Sequence, residues 1–492
     1  MKLELELIEA SETPLYRQIY DQIRQQIIEG RLVPGSKLPP TRTLAQQEGV
    51  ARVTVTQAYD QLQAEGFVTS KRGAGTFVTR TLPLETNSAP GNGEDGTRPA
   101  LSSWGQRVLH IDGREERTTE SVRPEIDFRF GRSFPHIFPY DIWRQLLARY
   151  LSTDDVMLSR YGSVAGFYPL REAIADYLAR LRGVHCRPEE VVVVNGAQQA
   201  LDILARLLLD AGDEVLVETP GYTAAFDLFR VYGARLTALP VDDHGFPVEA
   251  IPARSRARLA FVTPANQFPR GGAMPAERRL ALLQWAAANG ATIIEDDYDG
   301  ALRYEGQPLA ALQGLDEDGR VLYLGTFSKV LFPALRLGYV VLPKTLLQPF
   351  LQAKSIVDRG APTLTQAAVA DFIREGHFER HLRRLRKAYG KRHALLVKAI
   401  HDHLGALVTF AQEPAGLHVM LYLDSAYDEQ AVIQCAAEHG VGVYPGAAYH
   451  IQRPAPPSIL LGFSGLSEAE IEEGVQRLAR ALQQCRPTKK PT

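Results

Sequence analysis

Cysteine is scarce. The 492 residues contain three, Cys186, Cys435 and Cys485, an odd number spread over the chain. Neither a disulfide framework nor a cysteine metal site is expected from them, and a reducing cytoplasm is the compartment they suit. Long apolar runs are lacking too: none approaches the ~20 residues needed to span a bilayer, so no membrane partner is expected. The first ten residues alternate leucine with glutamate, without the basic and apolar regions of a secretory signal. There is no surplus of charge of either sign, since 55 Lys and Arg face 57 Asp and Glu for a net charge of -2. Global electrostatics therefore does not advertise a nucleic-acid partner, and any basic surface must be local. No repeat of fixed period and no extended low-complexity tract interrupts the chain. What is present is globular in kind, 45% hydrophobic and 23% charged, and long enough for about three domains at roughly 150 residues each.

Periodic patterning stops between Thr81 and Glu125, where Asn87-Ser-Ala-Pro-Gly-Asn-Gly-Glu-Asp-Gly-Thr-Arg-Pro99 has the punctuation of a linker. A short apolar island inside it, Leu101 and Trp104 with Val108 and Leu109, is suited to docking on a neighbouring domain. The expected division is residues 1–80, a linker 81–125, and a large region 126–492 with a small subdomain from about 380.

Upstream of the break, apolar residues recur at helical spacing from Leu15 through Ile27 and Ile28, ahead of Gly30. A short helix follows Leu38-Pro39-Pro40-Thr41, carries Leu44 and Ala45, and ends at Gly49. Val53, Val55, Ala58, Tyr59 and Leu62 mark a third helix. Phe67-Val68-Thr69 and Thr76-Phe77-Val78 then flank a basic glycine turn, Lys71-Arg72-Gly73-Ala74-Gly75, as a hairpin. Three helices and a hairpin make a winged helix-turn-helix, in which the second helix of the pair enters the major groove by its N-terminal residues. Arg52 and Thr54 stand at that end, Arg42 is placed for a phosphate, and Lys71, Arg72, Gly73 and Gly75 form a wing thin enough for a groove. Ser36 to Arg80 holds six basic and three acidic residues, a local excess hidden by the neutral total. The segment resembles the GntR family's DNA-binding domain through Pro14-Leu-Tyr, Gly35-Ser-Lys-Leu-Pro-Pro-Thr-Arg-Thr-Leu-Ala45, Val53-Thr-Val, Glu65-Gly and Gly73-Ala-Gly-Thr-Phe77. The resemblance implies that double-stranded operator DNA is a partner. Ala51 stands where such domains often place a serine cap, a loss of up to ~1 kcal/mol.

From about residue 126 onward, continuous apolar strands alternate with amphipathic helices, the pattern of an α/β fold with a mostly parallel sheet covered on both faces. Ligands of such sheets bind at the carboxyl ends of the strands. There lie Gly325-Thr326-Phe327-Ser328-Lys329 and, soon after, Arg336. Lys329 alone reads as a solvated lysine, but Thr326, Ser328 and Arg336 around it suit one phosphate, and a desolvated lysine forms imines with aldehydes. Asn195-Gly196-Ala197-Gln198 joins a strand to a helix and offers backbone amides to the same anion. Asp296 and Asp297 both end a strand, and either carboxylate can keep a pyridine nitrogen protonated. Tyr222 suits stacking on an aromatic ring, and Asn266 suits donation to a phenolate oxygen.

In order and spacing these residues resemble a fold-type I pyridoxal-phosphate aminotransferase. That resemblance implies pyridoxal 5'-phosphate as cofactor, held as a Schiff base on Lys329. It also implies Asp296 at the ring nitrogen, Tyr222 and Tyr298 against the ring, Asn266 at its oxygen, and Gly196, Ala197, Gln198, Thr326, Ser328 and Arg336 at the phosphate. With the N-terminal segment, the whole chain is similar to the MocR group of regulators. This implies a head-to-tail homodimer that senses a small-molecule effector. One departure is clear: Ser458-Ile-Leu460-Leu461-Gly462-Phe463 has no arginine where aminotransferases of α-amino acids place one, although Arg453 is near. A regulator sensing an amine, an amino acid or the cofactor is therefore expected ahead of a working aminotransferase, with half-reactions at most. His377-Phe-Glu-Arg-His381 has histidines at metal-site spacing, but neighbouring arginines argue against a metal. The basic run Arg383–Lys387, on an expected helix from Thr365 to about Leu404, reads as a solvated face.

Overall fold

The structure is a computed structural model that describes residues 3, 5–8, 11, 13–79, 100–111, 124–132, 135–151, 159–452 and 455–485. The chain divides into two compact units, Met1–Ala100 and Leu101–Thr492. The first contains α1 (Leu15–Ile28), α2 (Thr41–Glu48), α3 (Arg52–Ala64) and the antiparallel pair β1 (Val68–Lys71) and β2 (Gly75–Val78). Ile19, Ile23, Ile27, Leu44, Val55, Ala58 and Leu62 meet in one core, and Val68 and Val78 pin the hairpin to it. Val53 departs from its expected place on the buried side: it is 62% exposed at the start of α3. The helical period explains why, because a residue two positions before Val55 points away from the face that Val55 shares with Ala58, Tyr59 and Leu62.

The leucines at the N-terminus also enter this core. Leu3 is buried, and Leu5 and Leu7 pack against the same cluster. The extended segment has no strand to pair with, so two glutamines one turn apart on α1 satisfy its backbone. Gln22 accepts from the Glu6 N–H at 2.8 Å and donates to its carbonyl at 2.6 Å. Gln18 does the same for Ile8, at 2.9 and 3.1 Å.

The second unit runs through α4 (Ser103–Val108), β3 (Ile126–Asp127), α5 (Tyr140–Leu151), α6 (Tyr168–Arg182), β4 (Val191–Val194), α7 (Ala197–Leu208), β5 (Glu214–Thr219), α8 (Thr223–Val231) and β6 (Arg235–Pro240). It continues with β7 (Leu259–Val262), α9 (Ala276–Asn289), β8 (Thr292–Asp297), β9 (Val321–Thr326), β10 (Gly338–Val341), α10 (Lys344–Val357), α11 (Thr363–Arg374) and α12 (His377–His403). The last part holds β11 (Val408–Thr409), β12 (His418–Leu423), α13 (Glu429–Glu438), β13 (Val441–Gly442), β14 (Tyr444–Pro445), β15 (Ser458–Gly462) and α14 (Glu468–Gln484). Seven strands form the main sheet in the order β4-β10-β9-β8-β7-β5-β6, with β10 antiparallel to both neighbours and the rest parallel. All its strands but the edge strand β6 are buried through their middle, which is why most read as apolar runs. A four-stranded sheet, β11-β12-β15-β14, forms the second layer, and β13 pairs in parallel with β3. The small layer thus draws on residues near 126 as well as on those after about 380.

Three expectations need correction. Cys435 and Cys485 are joined by a disulfide between the end of α13 and the end of α14; two cysteines 50 residues apart carried no pairing signal until those helices packed together. The helix expected from Thr365 to about Leu404 is two helices, broken at Glu375 and at Gly376, whose φ of 71° caps α12. Part of the expected linker belongs to the second unit: α4 lies on α8, with Trp104 against Tyr232 and the Arg107 Nε donating to the Val231 carbonyl at 2.5 Å. Residues 81–99 and 112–123 of that stretch lie outside the described residues.

Candidate functional site

In the N-terminal unit all the expected DNA-facing residues but Thr54 are exposed. Arg42 projects from the first turn of α2, and Arg52 from the first turn of α3, where its Nε reaches the Thr41 hydroxyl at 3.4 Å. Thr54 is half-buried beside it, and the N-cap Ala51 supplies no side-chain bond to α3. Lys71, Arg72, Gly73 and Gly75 make the exposed tip of the hairpin. Lys37, missed in the sequence, belongs with them: its ammonium and that of Lys71 each lie 5.8 Å from the centre of the Phe77 ring. Gly75 suits the tip of the hairpin because its φ of 111° would strain any residue with a side chain. Bridging of Lys37 to Phe77 across the hairpin was invisible in sequence order.

The second unit gathers the other candidates into a cavity of about 160 Å³ at the carboxyl ends of the parallel strands. Gly196, Ala197, Gln198, Tyr222, Asp296, Tyr298, Thr326, Ser328, Lys329 and Arg336 all line it. The β4-to-α7 turn presents first-turn amides of α7, which have no acceptor within the helix. Gly196 permits that turn with a φ of 92°, and the Arg336 guanidinium packs beside it. Arg336 itself sits in the left-handed region at φ 51°, directly after a short 3-10 turn. The Thr326 hydroxyl accepts the Ser328 N–H at 3.1 Å and so shapes the turn that carries Lys329.

Packing resolves the choice between the two aspartates. Asp297 turns away from the cavity and pairs at 2.8 Å with the buried Arg182, while also accepting from the Tyr323 hydroxyl. Asp296 faces the cavity. Burial, reinforced by the charge of Asp297 and opposed by Lys329, pushes its carboxyl up to about 7. Asn266 does not line the cavity; its amide donates to the Tyr298 hydroxyl at 3.1 Å and to Asp299 at 2.8 Å. Burial raises Asp299 to about 8.

Four contributors were not anticipated. Phe130, Thr263 and Phe268 line the cavity, and the Lys329 ammonium stands 4.3 Å from the centre of the Phe130 ring. His418 lies behind them with its ring on Phe130 and Phe268. Its Nε2 bonds the Pro269 carbonyl at 3.0 Å, and burial, with the nearby Lys329, lowers it to about 3, so it is neutral. These residues come from loops and from the second layer, so only the hydrophobic character of Phe130 and Phe268 was legible beforehand. On the strand that lacks the expected arginine, Leu460 is 1% exposed and pairs across with Met420 and Tyr444. Arg453 lies outside the described residues. Among the described residues no cluster of metal-ligating side chains exists. His381 is buried against the Val330 carbonyl rather than aimed at His377, and Arg383, Arg384 and Lys387 are exposed on α12.

Comparison with known proteins agrees with this geometry. Residues 135–478 match the family described as aminotransferase class I and II, and residues 15–78 match the bacterial regulatory proteins of the gntR family. The chain is 39% identical to the probable rhizopine catabolism regulatory protein MocR of Rhizobium meliloti, over 96% of this chain and 94% of that one. It belongs to the MocR-type GntR regulators. Within that group it is also 32% identical to the pyridoxine biosynthesis transcriptional regulator PdxR of Corynebacterium glutamicum, over 94% of this chain and 96% of that one. The aminotransferase part of this MocR-type chain is similar to the α-aminoadipate aminotransferase LysN of Thermus thermophilus, solved with N-(5'-phosphopyridoxyl)-L-leucine. There the TM-score is 0.72 at 30% identity, over 78% of this chain and 97% of that one. No helix among the described residues is long and apolar enough to cross a membrane.

Proposed function

We propose that this protein is a cytoplasmic transcription regulator that binds operator DNA through its winged helix-turn-helix and senses a small amine, or pyridoxal phosphate itself, in the second unit. The observation that carries the reading is the union in one chain of an exposed basic helix-turn-helix and a cavity whose polar groups suit pyridoxal phosphate. The residues fit that group. Arg336, Ser328, Thr326 and the amides of Gly196, Ala197 and Gln198 surround a place for a phosphate. Asp296 is a buried carboxylate with no ion pair among the described residues, raised to about 7, and a protonated ring nitrogen would hold it ionised.

When bound, pyridoxal phosphate supplies an aldehyde that combines with amines and a ring that withdraws electrons. Lys329 is the amine that holds the cofactor, and Phe130 beneath it keeps water from that side of the ammonium. Asp296 would keep a proton on the ring nitrogen and Tyr222 and Tyr298 would bound the ring, while Asn266 holds the Tyr298 hydroxyl in place. β15 carries Leu460 and Leu461 where aminotransferases of α-amino acids place an arginine, so an effector without an α-carboxylate handle is favoured over a common amino acid. Two copies assemble head to tail, with Tyr161 and Ile356, 88% and 86% exposed, as apolar surface available for the contact.

Titration of pyridoxal phosphate and a panel of amines into ligand-free protein tests the reading, with operator affinity and product formation measured together. A ligand acts only if it prefers one arrangement of the two DNA-binding units. Operator affinity unmoved by every ligand, with rapid turnover of a common α-amino acid, would replace the regulator by an enzyme.

A further inference from the structure

We infer that Asp358, held by the buried ammonium of Lys354, is a positioning residue that fixes the anion-binding loop Asn195–Gln199 from outside the cavity. The inference rests on the pyridoxal phosphate reading above, but concerns residues that do not line the site. Lys354 is 0% exposed and donates to both oxygens of Asp358, at 2.8 and 2.9 Å. The same carboxylate accepts from Asn195 Nδ2 at 3.0 Å, from Gln199 Nε2 at 2.7 Å and from the Gly360 N–H at 2.8 Å. Four donor groups, with the ammonium reaching both oxygens, fill the roughly four lone-pair sites a carboxylate has, so its orientation is fixed on every side. Gln199 closes the ring, because its Oε1 accepts the Asn195 N–H at 2.8 Å. Asn195 follows the last residue of β4 and Gln199 lies in the first turn of α7, so the clamp grips both flanks of Gly196-Ala197-Gln198.

Stability alone is a poor reason for such a group. A buried ion pair contributes little net over apolar side chains of the same shape. Geometry is a better one: amides that are already aimed at an anion need no reorganisation when it arrives. The charges agree with this. A lone carboxylate behind an anion-binding loop would oppose its ligand, and the Lys354 ammonium cancels that field, leaving a rigid clamp that is neutral overall. Burial by itself would raise the Asp358 carboxyl, but the bonds from Lys354, Gln199 and the Gly360 N–H hold it below the usual carboxylate range, so Asp358 stays ionised at neutral pH.

The test compares full-length protein with Asn195→Ala, which cuts the tether and leaves the buried ion pair intact, and with Asp358→Asn. Dissociation constants are measured for pyridoxal phosphate and for pyridoxal, which has no phosphate, alongside thermal unfolding. Both variants are expected to weaken pyridoxal phosphate by about tenfold or more, roughly one bond to a charged group, while pyridoxal binding is unchanged. Lys354→Met is expected to do the same, because it leaves Asp358 uncompensated. Equal weakening of both ligands, or a lower unfolding temperature with the ratio of the two constants preserved, would overturn the positioning role. So would unchanged binding of both ligands in Asn195→Ala while the unsubstituted protein prefers pyridoxal phosphate. An unsubstituted protein that binds no pyridoxal phosphate would instead remove the cofactor reading, and this inference with it.

Discussion

The two units place their chemistry in opposite settings. In the N-terminal unit Arg42, Arg52, Lys71 and Arg72 stand in solvent around a small core built from α1, α2, α3 and the hairpin. In the second unit Glu218 on β5, Asp296 on β8, Asp299 just after β8 and His418 on β12 are buried. Exposed cations act through long-range attraction that salt screens. Enclosed groups act through desolvation, which salt barely touches and protons govern. One half of this protein should therefore answer chiefly to ionic strength and the other to pH, and each expected result below probes that contrast.

The largest effect is all or none. Lys329→Ala should abolish borohydride-trapped attachment of pyridoxal phosphate while far-UV circular dichroism and operator binding by the N-terminal unit persist. A trapped peptide carrying any other lysine would misplace the site. Next comes Arg52→Ala, expected to cost ~1–3 kcal/mol of operator affinity if it reads a base edge. Arg42→Ala should instead weaken operator and random DNA alike, and reduce the log-log salt slope by about 0.9 for one phosphate contact. Neither change should move pyridoxal phosphate affinity, and a change in it would break the division of labour between the units.

A smaller effect concerns protons. Glu218 and Asp296 are raised by burial to about 7, and Asp299 to about 8, from ordinary values near 4. Between pH 6.5 and 8 the folded state thus carries protons that the unfolded state has already lost, so stability falls as pH rises through that window. His381 and His418, lowered to about 4 and 3, are neutral in the folded state while their unfolded forms still bind protons near pH 6.5, so they offset part of the trend at the low end of the window without reversing the sum of the three carboxyls. The ligand-free protein should lose unfolding temperature from pH 6.5 to 8. Asp296→Asn should flatten part of the slope, an effect on the order of 1 kcal/mol, and pyridoxal phosphate should flatten it too by pairing with the carboxylate. A slope that responds to salt rather than to Asp296→Asn would blur the contrast. The smallest effect is in the other unit: Ala51→Ser should supply the missing cap of α3 and stabilise that unit by ~0.5–1 kcal/mol, read as a shift in denaturant midpoint.

Local patterns were legible because they rest on neighbours in sequence. Helical spacing located α1 to α3 but left Ile28 and Val53 on the exposed side, since a burial pattern says which residues recur but not which of two adjacent ones meets the core. The glycine turn located the hairpin, but not Lys37, which crosses to Phe77 from a distant loop. Apolar runs located the parallel strands, yet β10 carries no mark of its antiparallel direction, because a strand buried on both faces has the same composition either way.

The sequence by itself determined that there would be two kinds of domain, a basic helix-turn-helix and an α/β body. It also determined that the body would offer Lys329, Arg336 and the Asn195–Gln198 turn at strand ends, since propensity, periodicity and turn chemistry act over a few residues. Tertiary structure alone decided that Asp296 faces the cavity while Asp297 is consumed by Arg182. It alone brought Phe130, Phe268 and His418 around Lys329, joined Cys435 to Cys485, and tied Asp358 to a loop 163 residues away. The physical reason is common to all of these. Burial, charge pairing and saturated hydrogen bonding are properties of a place, and a place is filled by residues that the chain keeps far apart until it folds.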